Sequence, residues 1–282
     1  MDLNDFVART LTEDIGPGDR TTEAVIPVEA AGSGYVLAKS DLVVCGHEPA
    51  RKLLAGAAAR YDGEVLYDIV HPDGTEVSAG TVIARVRGSL RGIIVGERPA
   101  LNCLMKMSGI ATNVRTWVKA AEGSSVRIAD TRKTTPLWRS LEKYAVTCGG
   151  GHNHRHALYD GVMVKDNHIY ATGSLKAAVR RAREANHHLI RIEVEARTLD
   201  EVDEALDTDA DVILLDNLDD PTLQEAVRRC RERRPHVVLE ASGNISPERI
   251  ARIKHFGLDV ISAGGLIHQA TWVDLSLKLD RR

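Results

Sequence analysis

Past residue 120 the chain alternates short β-branched runs with segments whose apolar residues recur at helical spacing. The runs are VRIADT (126–131), GVMVKDN (161–167), LIRIEVEA (189–196), DVILLDN (211–217), VVLEASG (237–243) and DVISAGG (259–265). After the first gap they recur about every 22–28 residues, the length of a strand, a helix and their loops. Six such units predict parallel strands wound as a barrel or an open sheet. Between them, residues 174–186 place Leu175, Ala178, Val179 and Ala182 on one helical face and arginines on the other, and 221–234 repeat the pattern. Those arginines read as solvated faces. Ser246 and Pro247 read as an N-cap and first-turn proline, with Gly257 as that helix's stop.

The first 120 residues have another texture. Residues 33–46 and 71–88 show short alternating strands with Asp-Gly and Ala-Gly turns, predicting a small antiparallel or mixed sheet. A helix over about 96–122, with Pro99 in its first turn, then leads into the barrel-like part. This divides the chain into a first domain over 1–115 and a second over 116–269. The tail, 270–282, has helical spacing and is expected to pack back onto the first.

Composition narrows the partners. The 282 residues are 43% hydrophobic and carry a net charge of −3 with only two Phe, a folded and weakly acidic profile. It lacks the basic field of a nonspecific nucleic-acid binder, so any anion must be met locally. No run approaches the roughly 20 apolar residues of a membrane span, and residues 1–20 do not read as a signal peptide. A cytoplasmic protein without nucleic-acid or membrane partners is expected. Cys45, Cys103, Cys148 and Cys230 are far apart and form no Cys-x-x-Cys pair, so they read as reduced and packed; Cys148, beside glycines, is the one alternative nucleophile.

In a parallel α/β fold the C-terminal strand ends share one face, and that face carries the chemistry. Here the ends supply Asp130, Thr131, Arg132 and Lys133, then Lys165, Asp166 and Asn167, then Glu193 and Glu195. Asp216 and Asn217 follow, then Glu240, Ser242 and Gly243, and last Ser262, Gly264 and Gly265. Glycine loops that open onto helix N-termini suit a phosphate, the middle carboxylates suit ribose hydroxyls or magnesium, and the early cations suit carboxylates or pyrophosphate. Together they predict a site for a phosphorylated sugar and an anionic partner. Any one of Glu193, Glu195 and Glu240 could instead serve a salt bridge inside the barrel.

Several longer stretches resemble one family across nearly the whole chain. They are LTEDIGPGDRTT (11–22), GERPALNCLMKMSGIAT (96–112), ADTRKTTP (129–136), the run 141–169 containing GGGHNHR and KDNHI, IEVEA (192–196), LLDN (214–217), LEASGNI (239–245) and DVISAGGLIH (259–268). The resemblance is to the quinolinate phosphoribosyltransferases, the carboxylating nicotinate-nucleotide pyrophosphorylases. It implies an N-terminal α/β sandwich, an incomplete six-stranded α/β barrel, and a homodimer or higher oligomer whose partner completes each site. It also implies a magnesium-assisted reaction of quinolinate with 5-phosphoribosyl-1-pyrophosphate that gives nicotinate mononucleotide, pyrophosphate and carbon dioxide for de novo NAD biosynthesis.

Carried over residue by residue, the resemblance assigns Arg132, Lys133, His154, Arg155 and Lys165 to the quinolinate carboxylates and part of the pyrophosphate, with Thr131 also among the substrate-binding residues. Arg98 would reach the neighbouring subunit's site. Glu195 and Asp216 would hold ribose hydroxyls and magnesium, and Ser242, Gly243, Asn244, Gly264 and Gly265 would cradle the 5′-phosphate. Lys133, Glu195 and Asp216 would be the catalytic groups. The chain departs from the family pattern at Leu137 and Trp138, where a glycine usually follows TTP, at Ala157 and Asn244, each in place of a glycine, and at Ile267 and Gln269, where LIHQ stands for LTHS. A related pyridine or aromatic carboxylate is therefore the alternative substrate.

Three readings compete. A lyase would use Lys165 as a Schiff base. A metal-dependent hydrolase would use His152, His154 and His156, which alternate, although Arg155 between them repels a cation and no fourth ligand stands at fixed spacing. A non-catalytic phosphosugar-binding module would not call for so many opposed charges. The stretch 149–168 reads instead as an anion cradle leading to Lys165, with His152 and His156 peripheral.

Overall fold

The computed structural model describes residues 2–280. It begins with α1 (Leu3–Ile15), α2 (Arg20–Val25), β1 (Ala31–Ala38), β2 (Leu42–Val43), α3 (His47–Ala59), β3 (Val65–Ile69), β4 (Glu76–Val77), β5 (Val82–Ser89) and α4 (Leu90–Ala120). There follow β6 (Arg127–Ala129), α5 (Arg139–Cys148), β7 (Val162–Val164), α6 (Asp166–Thr172), α7 (Leu175–Ala185), β8 (Ile192–Ala196), α8 (Leu199–Leu206) and β9 (Val212–Asp216). The chain closes with α9 (Asp220–Arg233), β10 (Val238–Ser242), α10 (Pro247–Ile253), β11 (Val260–Ser262), α11 (Gly265–His268) and β12 (Leu275–Leu279). Two compact units form: residues 1–115, 135–150 and 270–282 make one, and 116–134 and 151–269 the other.

The first unit is a four-stranded antiparallel sheet in the order β12-β1-β5-β3. Its inward positions, among them Val36, Ile83, Val86 and Leu277, share one core with Phe6 and Leu11 of α1, Leu53 and Leu54 of α3, and Ile93, Leu101 and Leu104 of α4. Three expectations need correction here. The long helix starts at Leu90 rather than near 96, so Pro99 lies inside it and not in its first turn. Gly92 and Gly96 are helical because they let α4 approach α3 closely: a Cβ on Gly92 would stand 2.6 Å from Ala58 Cα, and one on Gly96 3.0 Å from Leu54 Cα. The tail is a strand, because Leu275 and Leu277 alternate with polar residues and pair beside β1, with Leu277 opposite Val36. Finally, 135–150 groups with this unit although it lies within the 116–269 span, since Trp138 packs edge-on against Phe6 at 5.0 Å and Lys106 reaches buried Glu142 at 2.9 Å.

The second unit is an incomplete barrel. Its six strands run parallel in the order β6-β11-β10-β9-β8-β7, with the first strand beside the last. His152 adds one parallel bridge to Ala129 on the outer edge of β6. Strand β8 is buried along its whole length, as expected where helices cover the outside and side chains fill the inside. A repeated device fixes the strand starts. Asp211 Oδ2 accepts from the Ile192 N–H and from Arg183, and Asp259 Oδ2 accepts from the Leu239 N–H and from Arg231. The helix arginines are therefore staples between successive units as well as solvated faces. Helix α10 ends at Ile253, before Gly257, which takes φ +97° in the turn beyond.

Candidate active site

The C-terminal strand ends enclose a cavity of about 630 Å³. Thr131, Arg132, Lys133, His154, Arg155, Lys165, Glu195, Asp216, Ser242, Gly243, Asn244, Gly264 and Gly265 all line it. Arg98 lies elsewhere, exposed on α4, with no ion pair or hydrogen bond among the described residues. Among the described residues no helix is long and apolar enough to cross a membrane.

The cationic side is set by local structure. Buried Asp130 accepts the His154 N–H at 2.9 Å, drawing the loop after Gly151 to the end of β6. Arg155 donates to the Gly161 carbonyl at 2.6 Å. Burial and then the neighbouring Arg132 pull the Arg155 guanidinium below its ordinary value, against the opposing charges of Glu193 and Asp160. The Lys133 side chain lies over Gly264, where a Cβ would stand 2.6 Å from Lys133 Cδ. Lys165 Nζ reaches Glu195 at 2.7 Å.

The carboxylates divide into two groups. Glu195 is nearly buried on β8, while Asp216 ends the adjacent β9. Arg197 spans both, 2.6 Å from Glu195 and 3.4 Å from Asp216, and also holds Asp166 at 2.8 Å. Deeper in the barrel, Glu193 and Glu240 face His154 at 3.1 and 3.6 Å. Burial, followed by the charge of Glu193, pushes Glu240 up to about 7. The salt-bridge reading thus fits Glu195, ion-paired to Lys165 and Arg197, while Glu193 and Glu240 face the His154 ring; the histidine trio does not converge, since His154 gathers with the two glutamates without His152 or His156.

The late strands form a cradle of backbone. Gly243 takes φ +84°, Asn244 φ +50° and Asn217 φ +57°, and Asn244 Nδ2 donates to Asn217 Oδ1. Arg249 ties this loop down, donating to the Gly243 carbonyl at 2.8 Å, to Asp220 at 2.9 Å and to the Leu218 carbonyl. Leu137, too, is left-handed at φ +68°. Leu137 and Asn244 therefore keep a backbone geometry that favours glycine, at positions where the resembling family writes glycine.

Sequence reasoning missed Arg197 and His268 as lining residues, and Arg249 as the cradle's staple. Arg197 stands two residues past Glu195, so strand alternation was the available signal for it. Arg249 carried no such signal, because its guanidinium reaches back across a turn.

A parallel barrel whose strand ends oppose a backbone phosphate cradle to clustered cations, with carboxylates between, defines an enzyme of the phosphosugar-transferring class. The family models of the quinolinate phosphoribosyl transferase N-terminal and C-terminal domains match residues 19–108 and 110–278. The chain is 39% identical over 279 residues to a probable nicotinate-nucleotide pyrophosphorylase [carboxylating] of Synechocystis, covering 99% of this chain and 93% of that one. It is 38% identical to the nicotinate-nucleotide pyrophosphorylase [carboxylating] of Mycobacterium leprae, covering 98% and 96%. The crystal structure of NadC from Streptococcus pyogenes superposes with a TM-score of 0.92 at 34% identity, covering 99% and 96%. The chain belongs to the quinolinate phosphoribosyltransferase family and is a phosphoribosyltransferase enzyme.

Proposed function

We propose that this enzyme transfers the phosphoribosyl group of 5-phosphoribosyl-1-pyrophosphate to quinolinate with loss of carbon dioxide, giving nicotinate mononucleotide and pyrophosphate for NAD biosynthesis. The observation that carries this reading is the gathering, in one cavity, of a glycine cradle, two carboxylates at adjacent strand ends and five cationic side chains. Gly243, Asn244, Gly264 and Gly265 take the 5′-phosphate on backbone N–H groups. Glu195 and Asp216 take the ribose hydroxyls. Arg132 and Arg155 take quinolinate carboxylates as bidentate forks, relieving their mutual repulsion. Lys133 and Lys165 stabilise the departing pyrophosphate, whose negative charge grows as the ribose C1–O bond breaks.

Magnesium fits the donor set. Glu195 and Asp216 offer hard oxygen ligands on hydrogen-bonded strands, and two carboxylates suffice for an ion that keeps its waters and rides on substrate phosphates. Held there, it would neutralise charge on the leaving pyrophosphate. Loss of carbon dioxide is favoured once the ring nitrogen bears the ribose, since the positive nitrogen stabilises the carbanion beside it. The protein is further read as a cytoplasmic homodimer in which Arg98, exposed and without a partner among the described residues, enters the neighbouring site.

The Schiff-base reading suits the geometry poorly, because Lys165 is ion-paired to Glu195 rather than isolated. The test is direct. Protein, magnesium, 5-phosphoribosyl-1-pyrophosphate and quinolinate are mixed, and nicotinate mononucleotide and carbon dioxide are followed. Equimolar formation of both is expected. Turnover only with a different aromatic acid would refute the substrate, and no release of pyrophosphate with any acid would refute the reaction.

A further inference from the structure

Away from this cavity, three segments of the first unit converge on a second set of chemically active groups. Cys45 follows β2, Asp73 lies between β3 and β4, and Cys148 is the last residue of α5. One ligand atom from each, two sulfurs and a carboxylate oxygen, lies within 4.8 Å of the others. Neither cysteine forms a disulfide; Cys45 is buried and Cys148 half-buried.

The surroundings are built rather than incidental. Ser108, fully buried, clamps both sides of Cys45, its Oγ accepting the Cys45 N–H at 2.9 Å and donating to the Cys45 carbonyl at 3.0 Å. Asp73 Oδ1 accepts the Gly46 N–H at 3.1 Å, and Oδ2 accepts the Tyr144 hydroxyl at 2.9 Å. Arg115 joins the segments by donating to the Gly149 carbonyl at 2.9 Å and, at longer range, to those of Gly74 and Cys148. Helix capping accounts for one oxygen of Asp73. It does not account for two thiols from distant parts of the chain meeting beside that carboxylate.

We propose that Cys45, Asp73 and Cys148 form a binding site for a thiophilic divalent cation of zinc's class, separate from the substrate cavity. Two thiolates and a carboxylate select zinc over magnesium, and three protein ligands leave a fourth tetrahedral position for water. Cys148 and exposed Tyr144 give the ion a way in, and the amides on Asp73 and the serine on Cys45 form the outer shell such a site needs. The thiols are already differentiated: the hydrogen bond from Cys45 lowers the Cys148 pKa, whereas that bond and burial raise the Cys45 pKa.

The test uses the full chain, reduced and stripped with chelator, titrated with cobalt(II). One equivalent should give sulfur-to-cobalt charge-transfer absorption, which zinc then abolishes by displacement. Cys148→Ala should lose the band while keeping the wild-type circular dichroism, and Cys230→Ala should keep the band. Cys45→Ala can fail to fold because the site is buried, so the half-buried Cys148 carries the test. No charge-transfer absorption in reduced protein would overturn the proposal, as would a band that survives Cys148→Ala. Loss of both thiols to a disulfide under air, with no cobalt band after reduction, would overturn it as well.

Discussion

His154 Nε2 lies 3.1 Å from Glu193 Oε2, and its other ring nitrogen, Nδ1, accepts the backbone N–H of Arg155 at 2.7 Å. An Nδ1 that accepts leaves the ring hydrogen on Nε2, so one N–H is presented to two buried carboxylates, Glu193 and Glu240. His154→Ala should therefore destabilise the chain by about 1–3 kcal/mol, the usual cost of leaving a buried acceptor without its donor. Urea unfolding measures this, and His154→Gln, which keeps a donor, should recover part of the loss. A His154→Ala chain as stable as wild type would show that the glutamates do not depend on the imidazole.

The same pair predicts a pH dependence. Glu240 is raised from 4.5 to about 7 by burial and by Glu193. The folded chain thus keeps a proton that the unfolded chain has already lost, so this group's contribution to stability falls as pH rises from about 4.5 through about 7. Glu240→Gln should flatten that part of the profile and be the more stable protein at pH 8, by up to about 3 kcal/mol. Parallel pH profiles for the two proteins would contradict the assignment.

Much of this architecture was legible because parallel strands wrapped in helices leave a strong mark: continuous apolar runs at even spacing, each ending in polar groups. Those groups fall together at one end of the barrel, so Lys165, Glu195 and Asp216 could be placed from order alone. The tail could not, since Leu275, Leu277 and Leu279 satisfy both a helical and a strand reading until β1 supplies a partner. Nor could Arg249, whose long side chain acts at a place its own position in the sequence does not mark. The grouping of 135–150 with the first unit depends on contacts of Trp138 and Glu142 with residues far away in sequence.

Two glycines of the cradle should respond differently to alanine. At Gly264 a new Cβ would first meet side chains, Lys133 Cδ at 2.6 Å and the His268 ring at 3.1 Å, so Gly264→Ala should fold normally and lose turnover on the order of tenfold or more by displacing that lysine. At Gly243, φ is +84° and the Cβ would run into the Asn217 side chain and backbone. Gly243→Ala should cost about 1–3 kcal/mol of stability and raise KM for 5-phosphoribosyl-1-pyrophosphate. Steady-state kinetics beside thermal unfolding separates the two, and equal stability losses would refute the distinction.

Arg197 competes for the carboxylates assigned to magnesium. It bridges Glu195 and Asp216, so a cation that binds these groups must share them with a guanidinium already in place. Arg197→Gln removes that charge while keeping a polar side chain. The magnesium concentration for half-maximal rate should fall several-fold, in keeping with the loss of a nearby positive charge. An unchanged magnesium requirement would place the ion away from Glu195 and Asp216.

Arg98 offers the sharpest test of shared sites. It lies on α4, exposed and without an intrachain partner among the described residues, whereas Lys133 lines the cavity. If Arg98 serves the neighbouring subunit, Arg98→Ala and Lys133→Ala chains should each be nearly inactive. In a symmetric dimer, a heterodimer of the two places both lesions in one site and leaves the other site intact. Mixed under conditions that exchange subunits, the two dead proteins should regain about a quarter of wild-type activity, the statistical yield of intact sites. If each site instead used Arg98 and Lys133 from the same chain, every site would keep one lesion and mixing would restore nothing.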